Sequence, residues 1–327
     1  MKNIPFLLSL VLFVFVACSD DGDPTTGTSN NTNNNNNPTS NDWLVPENLV
    51  FDGGPGKDGI PSIDNPKFSP ASEIDFLHDR DLVLAIQVGD EIKVYPHPIL
   101  DWHEIVNDDI GGEKIALTYC PLTGTGIGWN RLINDRETTF GVSGLLYNSN
   151  LMPYDRGSNS TWSQQRLDCV NGSLIGQKAD LFSFAEVTWE NWRDAYPESM
   201  VLNEDTGFSR DYTRYPYGDY RSSDNTIFPI TNDDDRFQKK ERLLGVRVGE
   251  TFKAYPFANE VGTELINDRI EDTDVILVRN TQRNFIISFI PEPGQTYRAL
   301  DDSLFPAVVE NSQGIQYDIL GLSLIHI

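Results

Sequence analysis

The feature that most constrains this fold is an internal repeat. Residues 81–108 (DLVLAIQVGDEIKVYPHPILDWHEIVND) align without a gap to residues 241–268 (ERLLGVRVGETFKAYPFANEVGTELIND) at an offset of 160. Nine of the 28 aligned positions are identical: Leu84/Leu244, Val88/Val248, Gly89/Gly249, Lys93/Lys253, Tyr95/Tyr255, Pro96/Pro256, Glu104/Glu264, Asn107/Asn267 and Asp108/Asp268. The chain is therefore predicted to contain two related halves that arose by duplication.

Each copy of the repeat begins with a β-hairpin signal. Two short β-rich segments flank Gly89-Asp90 in the first copy, which is typical of a tight turn between antiparallel strands. A helix is predicted where apolar residues recur at helical spacing: Ile99, Trp102, Ile105 and Val106. The segment KIALTYC (114–120) predicts the next strand.

Two further elements follow in the first half. GIGWNRLI (126–133) and TTFGVSG (138–144) are expected to pair as a hairpin across Asn134-Asp135, and WENWRDAYP (189–197) predicts a short helix that Pro197 ends. The fold class that we expect is α+β, mostly antiparallel β with short helices, built as two related halves of which the second is truncated.

The N-terminus resembles a bacterial lipoprotein signal. Lys2 precedes the apolar run from Ile4 to Ala17, which is too short to span a bilayer and ends at Cys18. We expect residues 1–18 to be the signal peptide with Cys18 as the lipidated residue, and SDDGD directly after it to direct an outer-membrane lipoprotein to the cell surface rather than to the periplasm. Residues 19–42, rich in Asn, Thr and Ser, are expected to be a disordered linker.

The remaining domain boundaries follow from the repeat. Residues 43–225 are predicted to be the first half, which carries the candidate site, and residues 226–327 the second, degenerate half. The last six residues, LSLIHI (322–327), can be encoded by a sequencing-adapter sequence, so we expect them to be an artefact and give His326 no role.

Charge limits the partners of the chain. The chain has 49 acidic and 25 basic residues, a formal net charge of −24. Nucleic acids and anionic membrane surfaces need basic patches, so no nucleic-acid partner is expected. Contact with the membrane is expected through the lipid on Cys18.

The segment LTYCPLTGTG (117–126) is the strongest candidate for chemistry. A strand ends in Cys120, Pro121 follows, and Thr123 stands where a Cys-x-x-Cys pair would have its second cysteine. Cys120 is therefore an active thiol, a metal ligand, half of a disulfide or a buried apolar residue. A disulfide between Cys120 and Cys169 is permitted in an oxidising compartment, as a redox pair or as a structural link.

Several segments together resemble domain-of-unknown-function family 3179. They are GKDGIPSIDNPKF (56–68), YPHPILDWHEIVND (95–108), TYCPLTGTGIGW (118–129), FGVSGLLYNSNLMPYDR (140–156), STWSQ (160–164) and RYPYGDYRSSD (214–224). The resemblance implies a Cys-Pro-x-Cys-Gly motif, in which some members carry selenocysteine, and this points to redox chemistry. Thr123 departs from that motif and puts a two-cysteine cycle within it in doubt.

The resemblance also implies the neighbours of Cys120. His103 is the candidate base or thiolate partner, since a nearby base promotes the reactive thiolate form. Candidate substrate-binding or wall residues are Asp155, Arg156, Trp162 and Tyr147; for Asp155 and Arg156 the structural alternative is a buried ion pair.

Three functions fit these residues. The first is a thiol-dependent redox protein, a possible thiol oxidoreductase, in which Cys120 and His103 act with an external thiol or an envelope partner and without a cofactor. The second is a non-enzymatic surface module that binds a ligand or partner. The third is a soft-metal protein for copper or zinc, for which Met152, His97 or Cys169 would have to add a third ligand to Cys120 and His103.

Overall fold

A computed structural model describes residues 42–232, 234–257 and 262–324. Cys18, the signal peptide, His326 and nearly all of the 19–42 linker lie outside these ranges. No helix within the described ranges is long and apolar enough to cross a membrane.

Short strands dominate the first half, and two helices interrupt them. The elements are β1 (Val50–Asp52), β2 (Phe68–Pro70), β3 (Leu82–Val88), β4 (Glu91–Pro96), α1 (His97–His103), β5 (Ile105–Ile110), β6 (Glu113–Cys120), β7 (Thr125–Asn130), β8 (Leu132–Ile133), β9 (Arg136–Glu137), β10 (Phe140–Tyr147), β11 (Asn150–Asp155), β12 (Thr161–Ser163), β13 (Asp168–Asn171), β14 (Leu181–Phe182), β15 (Ala185–Thr188), α2 (Trp189–Ala195) and β16 (Met200–Leu202).

The second half continues in strands after a long irregular stretch. Its elements are β17 (Leu243–Val248), β18 (Thr251–Pro256), β19 (Thr263–Ile270), β20 (Thr273–Asn280), β21 (Phe285–Phe289), β22 (Tyr297–Ala299), β23 (Ala307–Asn311) and β24 (Gln316–Asp318).

Three larger sheets build the first half. Their strand orders are β1-β10-β11-β12-β13, β14-β7-β6-β5 and β15-β3-β4-β16-β2. The pairs in them are antiparallel except that β16 runs parallel to β4. The predicted α+β class, mostly antiparallel with short helices, is confirmed.

The two copies of the repeat pair their strands in matching registers. Leu84 faces Tyr95 in the first hairpin, and Leu244 faces Tyr255 in the second. The second pair lies 160 residues after the first. The hairpin at Gly89-Asp90 is confirmed, and Gly89 adopts φ 58° there. The same offset relates β5-β6-β7 to β19-β20-β21.

A polar contact recurs at the same offset. Lys93 Nζ and Tyr95 Oη donate to the Asp108 carboxylate at 3.0 and 2.7 Å. Lys253 and Tyr255 contact Asp268 in the same way, with the tyrosine at 2.7 Å. Three of the nine identical positions are therefore explained by one hydrogen-bonded cluster, which holds each hairpin against the following strand.

Two local predictions were wrong in extent. The helix ends at His103, and Glu104 takes a left-handed φ of 58°, so Ile105 and Val106 lie in strand β5. The hairpin at Asn134-Asp135 forms only between the two-residue strands β8 and β9. The flanking strands do not extend the Asn134-Asp135 hairpin because they pair with other strands. β7 pairs with β6 and β10 pairs with β11, and Trp129 of β7 packs edge-on against Phe140 of β10.

The helix over residues 189–197 is confirmed as α2, which ends at Ala195 before Pro197. It packs into a hydrophobic core that contains residues of both halves, including Val83 and Trp192 with Phe285 and Val309. The two halves therefore depend on one common core for part of their stability.

Candidate functional site

Cys120 ends strand β6 in a fully buried position. Its Sγ lies 3.6 Å from the Ser149 carbonyl oxygen in the turn between β10 and β11. Burial, followed by the Glu104 charge, raises the pKa of the Cys120 thiol. A carbonyl oxygen only accepts, so the thiol is the donor in the contact to Ser149 and carries its proton.

Glu104 is the ionisable neighbour that affects Cys120. It follows α1 directly, and its left-handed backbone turns the chain into β5. Burial raises the pKa of the Glu104 carboxyl to about 7, although a hydrogen bond from Tyr217 opposes the shift. The Tyr217 hydroxyl donates to Oε1 over 3.0 Å. An acid beside a buried thiol can hold or release a proton near neutral pH.

The structure gives His103 partners other than Cys120. Its Nδ1 lies 2.7 Å from the Pro61 carbonyl oxygen and its Nε2 lies 2.7 Å from the Tyr212 hydroxyl. A carbonyl only accepts, so Nδ1 carries the proton and Nε2 accepts from Tyr212. Burial lowers the pKa of His103. His103 is therefore a neutral imidazole that anchors α1, with no described contact to the thiol.

A stretch of three tyrosines covers the Cys120 turn. We call residues 214–223 the tyrosine segment. The hydroxyl groups of Tyr215 and Tyr220 donate to the carbonyl oxygens of Pro121 and Leu122 at 3.4 and 3.0 Å. With the Tyr217–Glu104 bond, the three tyrosines join the segment to both sides of the thiol.

The spacing of residues in the sequence does not predict that Glu104 or these tyrosines belong to the site. The one signal in the sequence is that RYPYGDYRSSD carries the family resemblance together with the Cys120 motif. Only the fold brings residues 119–123 and 214–223 together.

An ion pair closes the far end of the tyrosine segment. Arg221 donates to both oxygens of the buried Asp101 at 2.7 Å. Burial raises the pKa of Asp101 to about 7, while Arg221 and Tyr119 oppose the shift. Tyr119 also lies 3.2 Å from Nδ1 of His97. Asp101 of α1 thus faces this segment, and His97 faces the strand beneath it.

Trp162 is the predicted wall residue that lies with Cys120. Both belong to one buried cluster with Phe140 and Trp129. Trp162 Nε1 donates to the Asp155 carboxylate over 3.1 Å. Asp155 is thereby held under the same cluster, and its role is to orient the indole.

The structural alternative for Asp155 and Arg156, a buried ion pair between them, is not formed. Asp155 accepts hydrogen bonds from Ser158 and Trp162, whereas Arg156 donates to Asp64 at 3.1 Å and to Asp58 at 3.3 Å. Successive strand residues point to opposite faces, so neighbours at the end of β11 cannot share one partner set.

Tyr147 lies away from the thiol. It packs at the edge of a separate small cluster with Val45, Met152 and Val170. The turn that follows it, rather than Tyr147 itself, reaches Cys120 through Ser149.

Thr123, which stands at the second cysteine position of the motif, belongs to a buried amide network. Asn150 donates to its Oγ1 over 3.1 Å and to Gln164 over 2.7 Å. Gln164 in turn donates to Thr118 and Thr125 at 3.0 Å. The STWSQ segment therefore fixes the ends of β6 and β7, between which the Cys120 turn lies.

Cys120 and Cys169 are both free and buried in this structure, so the permitted disulfide is not formed here. The Cys169 thiol lies 3.4 and 3.3 Å from the carbonyl oxygens of Thr161 and Asn171. Burial raises the pKa of Cys169 to about 12. Cys169 is therefore much less able than a surface cysteine to form thiolate.

The third function, a soft-metal site, finds no ligand set. Among the residues that the structure describes, no group of three or more His, Cys, Asp or Glu side chains is arranged to hold a metal ion. Met152 and Cys169 lie in different clusters, and His97 contacts Tyr119.

Comparison with known proteins gives one match. No curated protein and no solved structure matches this chain. The model of the family described as "Protein of unknown function (DUF3179)" matches residues 57–321, which include the Cys120 turn, α1 and the tyrosine segment. Because the match covers well over half of the chain, this protein belongs to the DUF3179 family.

Proposed function

We propose that this protein is an exported lipoprotein whose Cys120 is a redox-active thiol. The observation that carries the proposal is the polar setting of the Cys120 thiol. It lies at the end of β6 against the Ser149 carbonyl oxygen, in a turn whose Pro121 and Leu122 carbonyl groups accept from Tyr215 and Tyr220. A buried cysteine that served only as a small apolar residue would not need these polar neighbours. Glu104 and burial oppose ionisation, so the thiolate forms when the site is solvated or when Glu104 is neutral.

The chemistry that fits is oxidation by a peroxide or a disulfide. The thiolate attacks one oxygen of a hydroperoxide, the O–O bond breaks, and sulfenic acid and an alcohol or water form. An external thiol then attacks the sulfenic sulfur, and water leaves as a mixed disulfide forms. The external partner is needed because Thr123 cannot resolve the sulfenic acid and the Cys169 thiol is buried and hydrogen-bonded to the Thr161 and Asn171 carbonyl oxygens.

In this proposal His103 acts by position. Its bonds to Pro61 and Tyr212 hold the last turn of α1, from which Glu104 extends towards the thiol. The pairing of His103 with Cys120 that the sequence predicts is replaced by Glu104 with Cys120.

We also propose the cellular location that the sequence predicts. Lipid on Cys18 anchors the chain, and the acidic residues after it direct it to the cell surface. Protease added to intact cells should remove the domain if it is surface-displayed, and full protection would contradict display without touching lipidation.

The second half has a scaffold role in this proposal. At an offset of 160, Asn280 replaces Cys120 and Thr263 replaces His103. Asn280 donates to Thr263 over 2.9 Å, and the nearby Arg283 exchanges hydrogen bonds with Asn191 of α2. The hydrogen bonds between Arg283 and the Asn191 amide join the second half to α2 and support docking of the two halves.

The decisive experiment is oxidation of the purified full chain with hydrogen peroxide or diamide, followed by mass spectrometry of the Cys120 peptide. We expect reversible oxidation at Cys120 in the wild type and in Cys169→Ser, and none at this position in Cys120→Ser. If native Cys120 resists peroxide, disulfides and alkylating agents, the redox function fails and the non-enzymatic binding module replaces it.

A further inference from the structure

We propose that the tyrosine segment, residues 214–223, is a lid that opens to expose Cys120. This inference deepens the proposed function, because a redox thiol must meet an oxidant and Cys120 is only 1% exposed. The cover over it is one defined stretch of chain.

The lid has no strand pairing to the rest of the molecule. Between β16 and β17, the described residues 203–232 and 234–242 contain turns and one short 3₁₀ helix, Tyr220–Ser222, but no named strand. Apart from the bond of the Arg214 N–H to the Asp211 carbonyl oxygen at its start, the backbone hydrogen bonds described for the segment are internal, such as Tyr220 to Tyr217 and Ser223 to Asp219. Long irregular stretches of this kind in compact domains are commonly active-site lids, and segments without ladder bonds open at low free-energy cost.

Side chains supply the closure instead. Tyr215 and Tyr220 bond the backbone of the Cys120 turn, and Tyr217 bonds Glu104. Arg221 bonds Asp101, and its guanidinium group stacks over the Tyr215 ring at 4.0 Å. Each hydrogen bond joins a side chain of the lid to α1, to Glu104 directly after α1 or to the turn after β6, so all of them can break without unfolding a sheet.

The start and the far side of the lid are fixed. Trp102 Nε1 donates to the Arg214 carbonyl oxygen over 3.0 Å, and Tyr212 is bonded to His103. Lys240 Nζ bonds the carbonyl oxygens of Tyr220 and Ser223 and lies over the Tyr220 ring. The lid is therefore held at both ends. Opening at the far end requires that Lys240 either moves with the segment or loses its hydrogen bonds to Tyr220 and Ser223.

The test is the rate at which iodoacetamide labels Cys120 in the full chain, measured peptide by peptide with Cys169 as the internal control. Cys169 is as buried as Cys120 but lies in β13, paired with β12 and away from the lid. Lid opening labels Cys120 faster than Cys169, whereas global unfolding labels both at the same rate.

Variants of the lid sharpen the test. Tyr217→Phe and Tyr220→Phe each remove one hydrogen bond of the closed state, and each should raise Cys120 labelling about fivefold with no change at Cys169. Tyr154→Phe is the matched control, since it also breaks a tyrosine–carboxylate bond, to Asp58, but away from the lid. Hydrogen exchange of the amides of residues 214–223 in the wild type gives a second measurement that needs no variant.

Equal labelling of Cys120 and Cys169, or slow exchange throughout residues 214–223, would overturn the lid. The experiments can contradict the lid proposal and the redox proposal independently. Fast alkylation of Cys120 without oxidation by peroxide or diamide keeps the lid and removes the redox function.

Discussion

The Tyr217 hydroxyl donates a hydrogen bond to the Glu104 carboxylate, and the charge of Glu104 in turn raises the pKa of the Cys120 thiol. One bond thus connects the cover of the site to the ionisation of its sulfur. The predictions below follow from this arrangement.

Removing the Glu104 charge should make Cys120 more reactive. In Glu104→Gln the amide still accepts from Tyr217, but the negative charge that opposes the thiolate is lost. The pH profile of Cys120 alkylation should shift to lower pH than in the wild type. Glu113→Gln removes an acid from the opposite end of β6 and serves as the control. An unshifted profile for Glu104→Gln would show that the carboxylate does not affect the sulfur.

The hydrogen bond between Trp162 and Asp155 should stabilise the fold. Trp162→Phe leaves a buried carboxylate oxygen with one fewer donor, which costs about 1–2 kcal/mol beyond the lost packing. Trp129→Phe is a matched control in the same cluster, because the Trp129 indole nitrogen has no hydrogen-bond partner there. Urea unfolding of both variants measures the difference, and equal losses would assign Asp155 no part in holding the indole.

Asp101 should make stability depend on pH. Its folded pKa of about 7 lies above the usual value of 3.8, so the folded state binds its proton more tightly than the unfolded state. This tighter proton binding adds to the free energy of unfolding. The added stability is complete below about pH 4 and is lost as pH rises through 7, and it reaches about 4 kcal/mol for a three-unit shift. Asp101→Asn should flatten the dependence of the unfolding free energy on pH between 4 and 7. The exposed Asp224→Asn should leave the wild-type slope in place, and a slope that survives in Asp101→Asn would exclude this group as its source.

Placing a second cysteine at position 123, as the family resemblance implies, should create a redox pair. Thr123 follows Cys120 in the same turn, where its N–H donates to the Cys120 carbonyl oxygen over 3.3 Å, so Thr123→Cys places two sulfurs at that turn. Mild oxidation should convert them to a disulfide that dithiothreitol reverses, read as a loss of two thiols by mass spectrometry. Thr123→Ser keeps the hydroxyl and should form none. Two free thiols in oxidised Thr123→Cys would mean that the turn holds them too far apart for a bond.

Sequence alone determined the elements whose signals are local. The hairpin at Gly89-Asp90 follows from a turn that needs a left-handed residue between β-rich segments, and α2 follows from its helical spacing and Pro197. The α+β class and the family resemblance followed from the same local patterns. Cys120 at the end of a strand was also predictable, because KIALTYC is an apolar run that ends at a proline.

Tertiary structure decided which side chains meet at the site. In the second copy of the repeat, Thr263 and Asn280 are cross-strand neighbours and bond each other. In the first copy α1 extends to His103, so the residues at the same positions, His103 and Cys120, are not paired, and Glu104 takes up the place beside the thiol. Likewise, the contact between the tyrosine segment and the Cys120 turn spans about a hundred residues of chain. The spacing of residues in the sequence indicates which face of a helix or strand a side chain occupies. Only packing in the assembled fold decides which distant segment of the chain that side chain contacts.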